Sequence, residues 1–362
     1  MKRGITISNF KSILKIATAF IGAIVGAGFA SGQEIVQYYT SFGIPGLFGS
    51  ILATILYMFV GMALVRIGSR LRTRSHKEAV YQIGGKFVGT VIDYVLILTL
   101  FGVGVVMLAG AGSNLSQQFN LPVVFGTTLI TVLIFVIGVL QLNKIIVIIG
   151  SITPFLLIFV ILIAIYSIFN TTDSLASLNQ IAKEQPTNLP NWWISFINHV
   201  SFNTSVGAAI AFVIGGEEKN EKNAIMGGLL GGLGLGFIII LGNGAIFSQM
   251  AVLDGQALPI LEMVNNISPI LGICMALVLY AMIFNTAISM FLPFTTRFTK
   301  IGTKHFAFFL GTTLIIAYMA SFIGFSDLIG LFYPVIGCLG LVLLITLAIS
   351  WLRLNRLEKQ YS

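Results

Sequence analysis

The chain has 362 residues, 57% of them hydrophobic and only 9% charged, with a mean hydropathy of +0.99. A water-soluble globular domain does not normally reach such values, so the composition excludes one and predicts an all-α integral membrane protein that crosses the bilayer many times. The net charge of +8 is spread over short connections between apolar runs, where basic residues record membrane orientation and not affinity for nucleic acid.

The N-terminus is basic, with Lys2, Arg3, Lys11 and Lys15. The apolar run after it is far longer than a signal-peptide core and lacks a convincing cleavage site, so it reads as a retained first helix. Polar interruptions divide the chain into ten candidate spans, at about 10–39, 44–68, 86–114, 121–141, 143–169, 191–216, 222–250, 267–297, 304–324 and 327–353. With the N-terminus in the cytoplasm, every one of the 20 Lys and Arg residues except Lys183 falls on the cytoplasmic side, which supports ten spans with both termini inside. No polar block is large enough for a separate soluble unit, so residues 1–362 are expected to form a single transmembrane domain. The longest interruption, about 170–190, separates a first set of spans (about 10–169) from a second (about 191–353). Five spans on each side of an outer loop give the parity of an inverted repeat.

Span one carries "GAIVGAGFASGQE", with glycines at 22, 26, 28 and 32. Glycine weakens a helix by about 1 kcal/mol per residue relative to alanine, so a break is expected at Val25 to Gly28. Span six, the counterpart of span one in the second half, gathers Ser201, Asn203, Thr204, Ser205 and Gly207 at its middle, and a second break is expected there. Main chain left open at this depth costs several kcal/mol per group unless protein, water or a solute completes its hydrogen bonds. Paired breaks therefore suit a zwitterion or a cation with an anion. Span seven, with "GGLLGGLGLG" at 227–236, reads instead as a close-packing surface.

The segments "GAIVGAGFASGQEI" and "FNTSVGAAIAFVIGGEEKNEKNAI" resemble those of YkvI-type bacterial membrane proteins, members of the amino acid/polyamine/organocation transporter superfamily. The second is also similar to that superfamily's acidic turn after span six, where a Gly-Glu pair precedes an "NPxKxIPRAI"-like start of span seven; "GGEEKNEKNAIMGG" lacks the prolines. The resemblance implies the leucine-transporter fold, ten transmembrane helices as a 5+5 inverted repeat with discontinuous helices 1 and 6. It also implies a central site contacted by spans one, three, six and eight, and residence in the bacterial cytoplasmic membrane. By that resemblance the amides of Ala27 and Gly28 match a carboxylate-cradling turn, and Asn203, Thr204 and Ser205 match the unwound part of span six. With their neighbours Val25, Gly26, Phe29 and Phe202 they make up the expected solute contacts. A sodium site in related transporters maps onto Gly22 and Val25 of span one and Thr286 and Ser289 of span eight.

Span eight points the same way by its residues alone. Asn285, Thr286 and Ser289 stand at spacings of three and four, on one face of an apolar helix, and hard cations take oxygen ligands. The bland alternative is that the hydroxyls bond back to their own helix. Some proton-coupled relatives place a lysine in span five, but 145–169 has no basic residue, which favours sodium over a proton as coupling ion.

Glu34 and Asp93 are carboxylates well inside predicted spans and are coupling or gate candidates; for Asp93 the alternatives are hydration or a pair with a cytoplasmic arginine. Glu217, Glu218 and Glu221 read as a solvated turn or an inner gate paired with arginines of the two–three connection, and His199 as a hydrogen-bonded structural group. Cys274 and Cys338 read as small apolar residues without a disulfide. No nucleotide-binding loop is present, and the three histidines are too dispersed for a catalytic metal. No enzyme, no cofactor beyond a coupling ion and no nucleic-acid partner is expected; the partners are a small solute and the lipid bilayer. The sequence thus predicts an ion-coupled secondary transporter of a small polar organic solute, an amino acid or related amine. The alternatives are a proton-coupled or metal-ion carrier, or a sensor of the same fold that binds without transporting.

Overall fold

Span one is cut twice. In the computed structural model it forms α1 (Ile7–Ile24), α2 (Ala27–Ser31) and α3 (Gln33–Tyr38). The first cut is at Val25 and Gly26, with Gly26 extended at φ −105° and ψ −172°, and the second is Gly32 in the left-handed region at φ 86°. The structure describes residues 7–73, 75–140, 153–171, 173–253 and 255–360; the stretch 143–152 expected to begin span five lies outside the described residues.

The remaining elements follow capping and proline signals. α4 (Ile44–Leu71) begins with a proline in its first turn, where a missing N–H is harmless. α5 (His76–Phe119) starts on Ser75, whose hydroxyl accepts from the Glu78 amide, and is broken at Gly85, φ 69°. α6 (Val123–Val139), α7 (Thr153–Phe169) and α8 (Leu175–Glu184) come next. α8 lies inside the stretch 170–190 that the sequence presents as a plain polar interruption. Ser174 caps it, and its strong amphipathicity packs Leu178 and Ala182 inward.

The second half comprises α9 (Trp192–Glu217), α10 (Glu221–Ser248), α11 (Met250–Leu253), α12 (Pro259–Ile267), α13 (Pro269–Phe298), α14 (Lys304–Ser321) and α15 (Phe325–Gln360). Six of these helices, α4, α5, α9, α10, α13 and α15, are long and apolar enough to cross a membrane, and shorter apolar helices cover Val123–Val139 and Ile158–Phe169. The protein is therefore a multi-pass, all-α membrane protein. Cys274 and Cys338 lie on exposed helix surfaces as free thiols.

Two groups of helices frame the interior. α1, α4, α9 and α10 pack on one another, and α5, α6, α13 and α14 form a second group, with α15 lying against both α9 and α5. Glycines set the first group's spacing: a β-carbon on Gly228 of α10 would run into the Gly61 carbonyl of α4, and one on Gly232 into the Tyr57 backbone. Close helix approach of this kind is how small residues hold membrane bundles together.

Candidate solute site

Continuing α1 through the first cut would require hydrogen bonds from the amides of Gly26, Ala27, Gly28 and Phe29 to the carbonyls of residues 22–25. Among the described residues none of the four is formed; helical bonding resumes with Ala30 N–H on the Gly26 carbonyl at 3.1 Å. The Ala27 amide instead donates to Thr286 Oγ1 of α13 at 3.4 Å. The carbonyl end of an 18-residue helix is thus left open, and its aligned peptide dipoles point negative potential at the cut.

The cut lies on a cavity of about 490 Å³ between the two helix groups. The structure brings together on its wall Gly22, Val25, Gly26, Gly28, Glu34, Phe202, Asn203, Ser205, Asn285, Thr286 and Ser289 from the residues singled out in the sequence. Ala27, Phe29 and Thr204 are not on it. They are 1%, 2% and 0% exposed, and Thr204 donates to the Val200 carbonyl at 2.6 Å. Asp93 is also elsewhere: its carboxylate pairs with the Arg297 guanidinium, tying α5 to the end of α13.

The expected break in span six does not occur, since α9 is one uninterrupted helix from Trp192 to Glu217. The polar residues that suggest a break are satisfied without one. Ser205 bonds back to the Ser201 carbonyl at 3.2 Å, Ser201 donates to the Gly337 carbonyl of α15 at 2.6 Å, and the Asn203 amide donates to the His199 carbonyl at 3.2 Å. Hydroxyls bonding four residues back are a standard way for a membrane helix to carry polar groups intact. On this side the cavity therefore meets side chains, not open main chain.

Glu34 is 4% exposed and anchored through one oxygen. Oε1 receives His199 Nε2 at 2.7 Å and Asn203 Nδ2 at 3.3 Å. Behind it, His199 Nδ1 is met by the hydroxyls of Tyr39 at 2.7 Å and Tyr57 at 3.0 Å, and Asn203 also donates to Tyr57 at 2.9 Å. His199 thus has the Glu34 carboxylate on its Nε2 side, with Asn203 Nδ2 also 2.9 Å from that nitrogen, and the two tyrosine hydroxyls on its Nδ1 side. Oε2 is left toward the cavity, next to Gly28 and the Tyr333 hydroxyl: a β-carbon on Gly28 would stand 3.1 Å from each. Sequence reasoning set His199 aside and passed over Tyr39, Tyr57 and Tyr333. The available signal was the four-residue spacing of His199 and Asn203, which puts both on one helical face; nothing marks the tyrosines.

The two ends of the cavity differ. Gly22, Ile210 and Ser289, toward the α9–α10 connection, are exposed, whereas Glu34, Phe202, Asn203 and Tyr333 at the other end are buried, so the cavity opens toward the basic face. The closed end is sealed by Phe202 stacked on Tyr333 at 4.1 Å. Tyr38 donates to Asn198 Oδ1 at 3.1 Å, and Asn188 of the α8–α9 connection donates to the Gly330 carbonyl at 2.8 Å. At the open end the acidic cluster is tied to α4 and α1: Glu221 lies 2.5 Å from Arg66 Nε and 3.6 Å from Arg70, Glu217 lies 3.3 Å from Lys15, and Ser12 donates to Glu218. The arginines of the predicted two–three connection take part, Arg70 through Glu221 and Arg72 by donating to the carbonyls of Glu218 and Lys219 at 2.8 and 3.0 Å, while Arg66 and Lys15 reach the cluster from within α4 and α1.

No protein-family model matches the chain. It is similar over its length to two Bacillus subtilis proteins: the uncharacterized membrane protein YkvI, 26% identical across 91% of this chain and 93% of that protein, and the uncharacterized protein YyaD, 28% identical across 92% and 95%. Among solved structures it resembles MhsT in complex with L-phenylalanine, with a TM-score of 0.64 at 18% identity over 93% of this chain and 88% of that one. It also resembles an Eremococcus coleocola manganese transporter, TM-score 0.63 at 14% identity over 94% and 79%, and inward-facing Mhp1, TM-score 0.57 at 15% identity over 91% and 73%. At these identities the likeness is one of fold.

Proposed function

From the similarity of the chain to YkvI and its leucine-transporter fold, we propose that it is an ion-coupled secondary transporter of a small polar organic solute, an amino acid or related amine. The observation that carries the reading is the meeting, in one cavity open to one side, of the open carbonyl end of α1 and the unbonded Gly26 amide with the inward-turned oxygen of Glu34. Such groups are costly in a bilayer interior unless a polar guest completes them. The fold neighbours act on quite different cargo, so they support the architecture of a carrier and leave its solute to the site.

In this reading α1–α3, α4, α5, α6, α7, α9, α10, α13, α14 and α15 supply ten spans in a 5+5 repeat, embedded in the bacterial cytoplasmic membrane with both termini inside. The basic face is then cytoplasmic, and the conformation is open inward. Rocking of α1, α4, α9 and α10 against α5, α6, α13 and α14 would narrow the open end of the cavity and part the Phe202–Tyr333 stack, the ion pairs of Glu217 and Glu221 holding the first group together as it moves.

Sodium remains the first coupling ion. The carbonyls of Gly22 and Val25 with the side chains of Asn285, Thr286 and Ser289 line one part of the cavity and supply the oxygens a hard cation takes. A second reading, proton coupling, is favoured by the 2.7 Å contact of His199 with Glu34, two titratable groups buried together beside the cavity. A manganese carrier is less well supported, because among the described residues no three His, Cys, Asp or Glu side chains are grouped to hold a metal.

Flux in proteoliposomes tests the proposal. Uptake of a bound solute driven by an imposed sodium gradient supports sodium symport, and uptake driven only by a pH gradient supports the second reading. Saturable binding with no gradient-driven flux would leave a sensor in place of a carrier.

A further inference from the structure

The electrostatics of the cavity narrow the solute class. Of the residues that line it, Glu34 is the only acid or base, and Lys, Arg and His are absent from its described wall. The open carbonyl end of α1 adds negative potential at the same place. An anion is offered less: α2, which follows the cut, has five residues, too few for a useful dipole, its Ala27 amide is engaged by Thr286, and the other unbonded amides of the cut, at Gly26 and Gly28 on the wall and at the buried Phe29, are neutral donors with no cationic side chain beside them. Beyond this polar end the wall is hydrocarbon, including Leu100, Val103, Val206, Met282 and Met290.

Resting on the carrier reading above, we infer that the solute is an organic cation, a primary amine on an apolar body, whose ammonium is received by Glu34 Oε2 beside Gly28 and the Tyr333 hydroxyl. Oε1 is held by His199 and Asn203, so the carboxylate is oriented before the ligand arrives and Oε2 is presented to it. An ammonium group donates three hydrogen bonds; Oε2, the Tyr333 oxygen and the open carbonyls of the cut are acceptors at this end of the cavity. A carboxylate on the same ligand would meet Glu34 and the α1 carbonyls as like charge, so the amine is preferred over the corresponding amino acid. The apolar wall recognises the body by burial alone.

The test uses the purified full-length protein and four probes with the same aromatic body: phenethylamine, L-phenylalanine, 3-phenylpropionate and 2-phenylethanol. Phenethylamine is expected to bind at least tenfold more tightly than L-phenylalanine and the neutral alcohol, with no measurable binding of the acid. Glu34→Gln is expected to weaken phenethylamine tenfold or more and to remove its advantage over the alcohol. The probe series on the unaltered protein keeps the inference testable even if that variant folds poorly. Tighter binding of L-phenylalanine than of phenethylamine, or equal binding of amine and alcohol, overturns the inference. Gradient-driven uptake of L-phenylalanine in that event leaves the carrier standing without the amine preference, whereas tight phenethylamine binding without uptake supports the ammonium site and overturns the carrier. Binding of none of the four probes overturns the inference outright.

Discussion

Replacing Gly28 by alanine places a single methyl group at the centre of the site. Its β-carbon would lie 3.1 Å from Glu34 Oε2 and 3.1 Å from the Tyr333 hydroxyl, closer than a comfortable carbon–oxygen contact, so it takes the place of whatever Oε2 binds. The local helix does not suffer, because alanine is better than glycine in a helix by about 1 kcal/mol. A hydrogen bond to a charged group contributes about 1.5–3 kcal/mol, and at about 1.4 kcal/mol per factor of ten its loss corresponds to a roughly 10- to 150-fold weaker Kd. Calorimetric titration with phenethylamine measures this, with the Tm of the ligand-free protein as the control for folding. A variant with wild-type Kd and unaltered Tm would refute the placement of the ligand. Gly32→Ala makes the opposite control: at φ 86° and with Ile260 Cγ1 2.9 Å from the new β-carbon, it is expected to lower Tm first and affinity only through that.

Thr286→Val removes an oxygen from the candidate ion site and the acceptor of the Ala27 amide; the sodium concentration for half-maximal uptake should rise several-fold, and an unchanged sodium dependence would remove Thr286 from the ligand set. Gly228→Ala forces a methyl against the Gly61 carbonyl, which as main chain cannot step aside; overpacking of this kind costs about 1–3 kcal/mol, readable as a lower Tm with no selective effect on Kd. His199→Gln keeps a hydrogen-bond donor beside Glu34 while removing an imidazole that could carry a proton; if the proton-coupled reading holds, the dependence of uptake on pH flattens, and an unaltered profile argues for sodium.

The first break was legible because glycines at 22, 26, 28 and 32 leave a helix little to hold it together. The same reasoning misled at span six. A cluster of Ser, Asn and Thr has the composition of an opened helix, but each of these side chains is short enough to bond its own or a neighbouring main chain, as Thr204 does with Val200. Composition cannot separate a helix opened by polar groups from one that absorbs them. The Glu34–His199 contact spans 165 positions of sequence, and Asp93 meets Arg297 across 204. Such partners are fixed by helix packing and leave no local pattern. Within a helix, by contrast, spacing was informative: Asn285, Thr286 and Ser289 share a face and reach the same cavity.

The five residues of α2, with an extended glycine before them and a left-handed one after, act as a short rod with a joint at each end. If the carrier reading holds, bending at the first joint would let α1 swing while the rod stays put. Turning at the second adjusts the rod without dragging α3, so Glu34 keeps its grip on His199. In the carrier proposed above, the two duties of span one, movement of α1 and the hold of Glu34 on His199, would then be separable by mutation at one joint or the other.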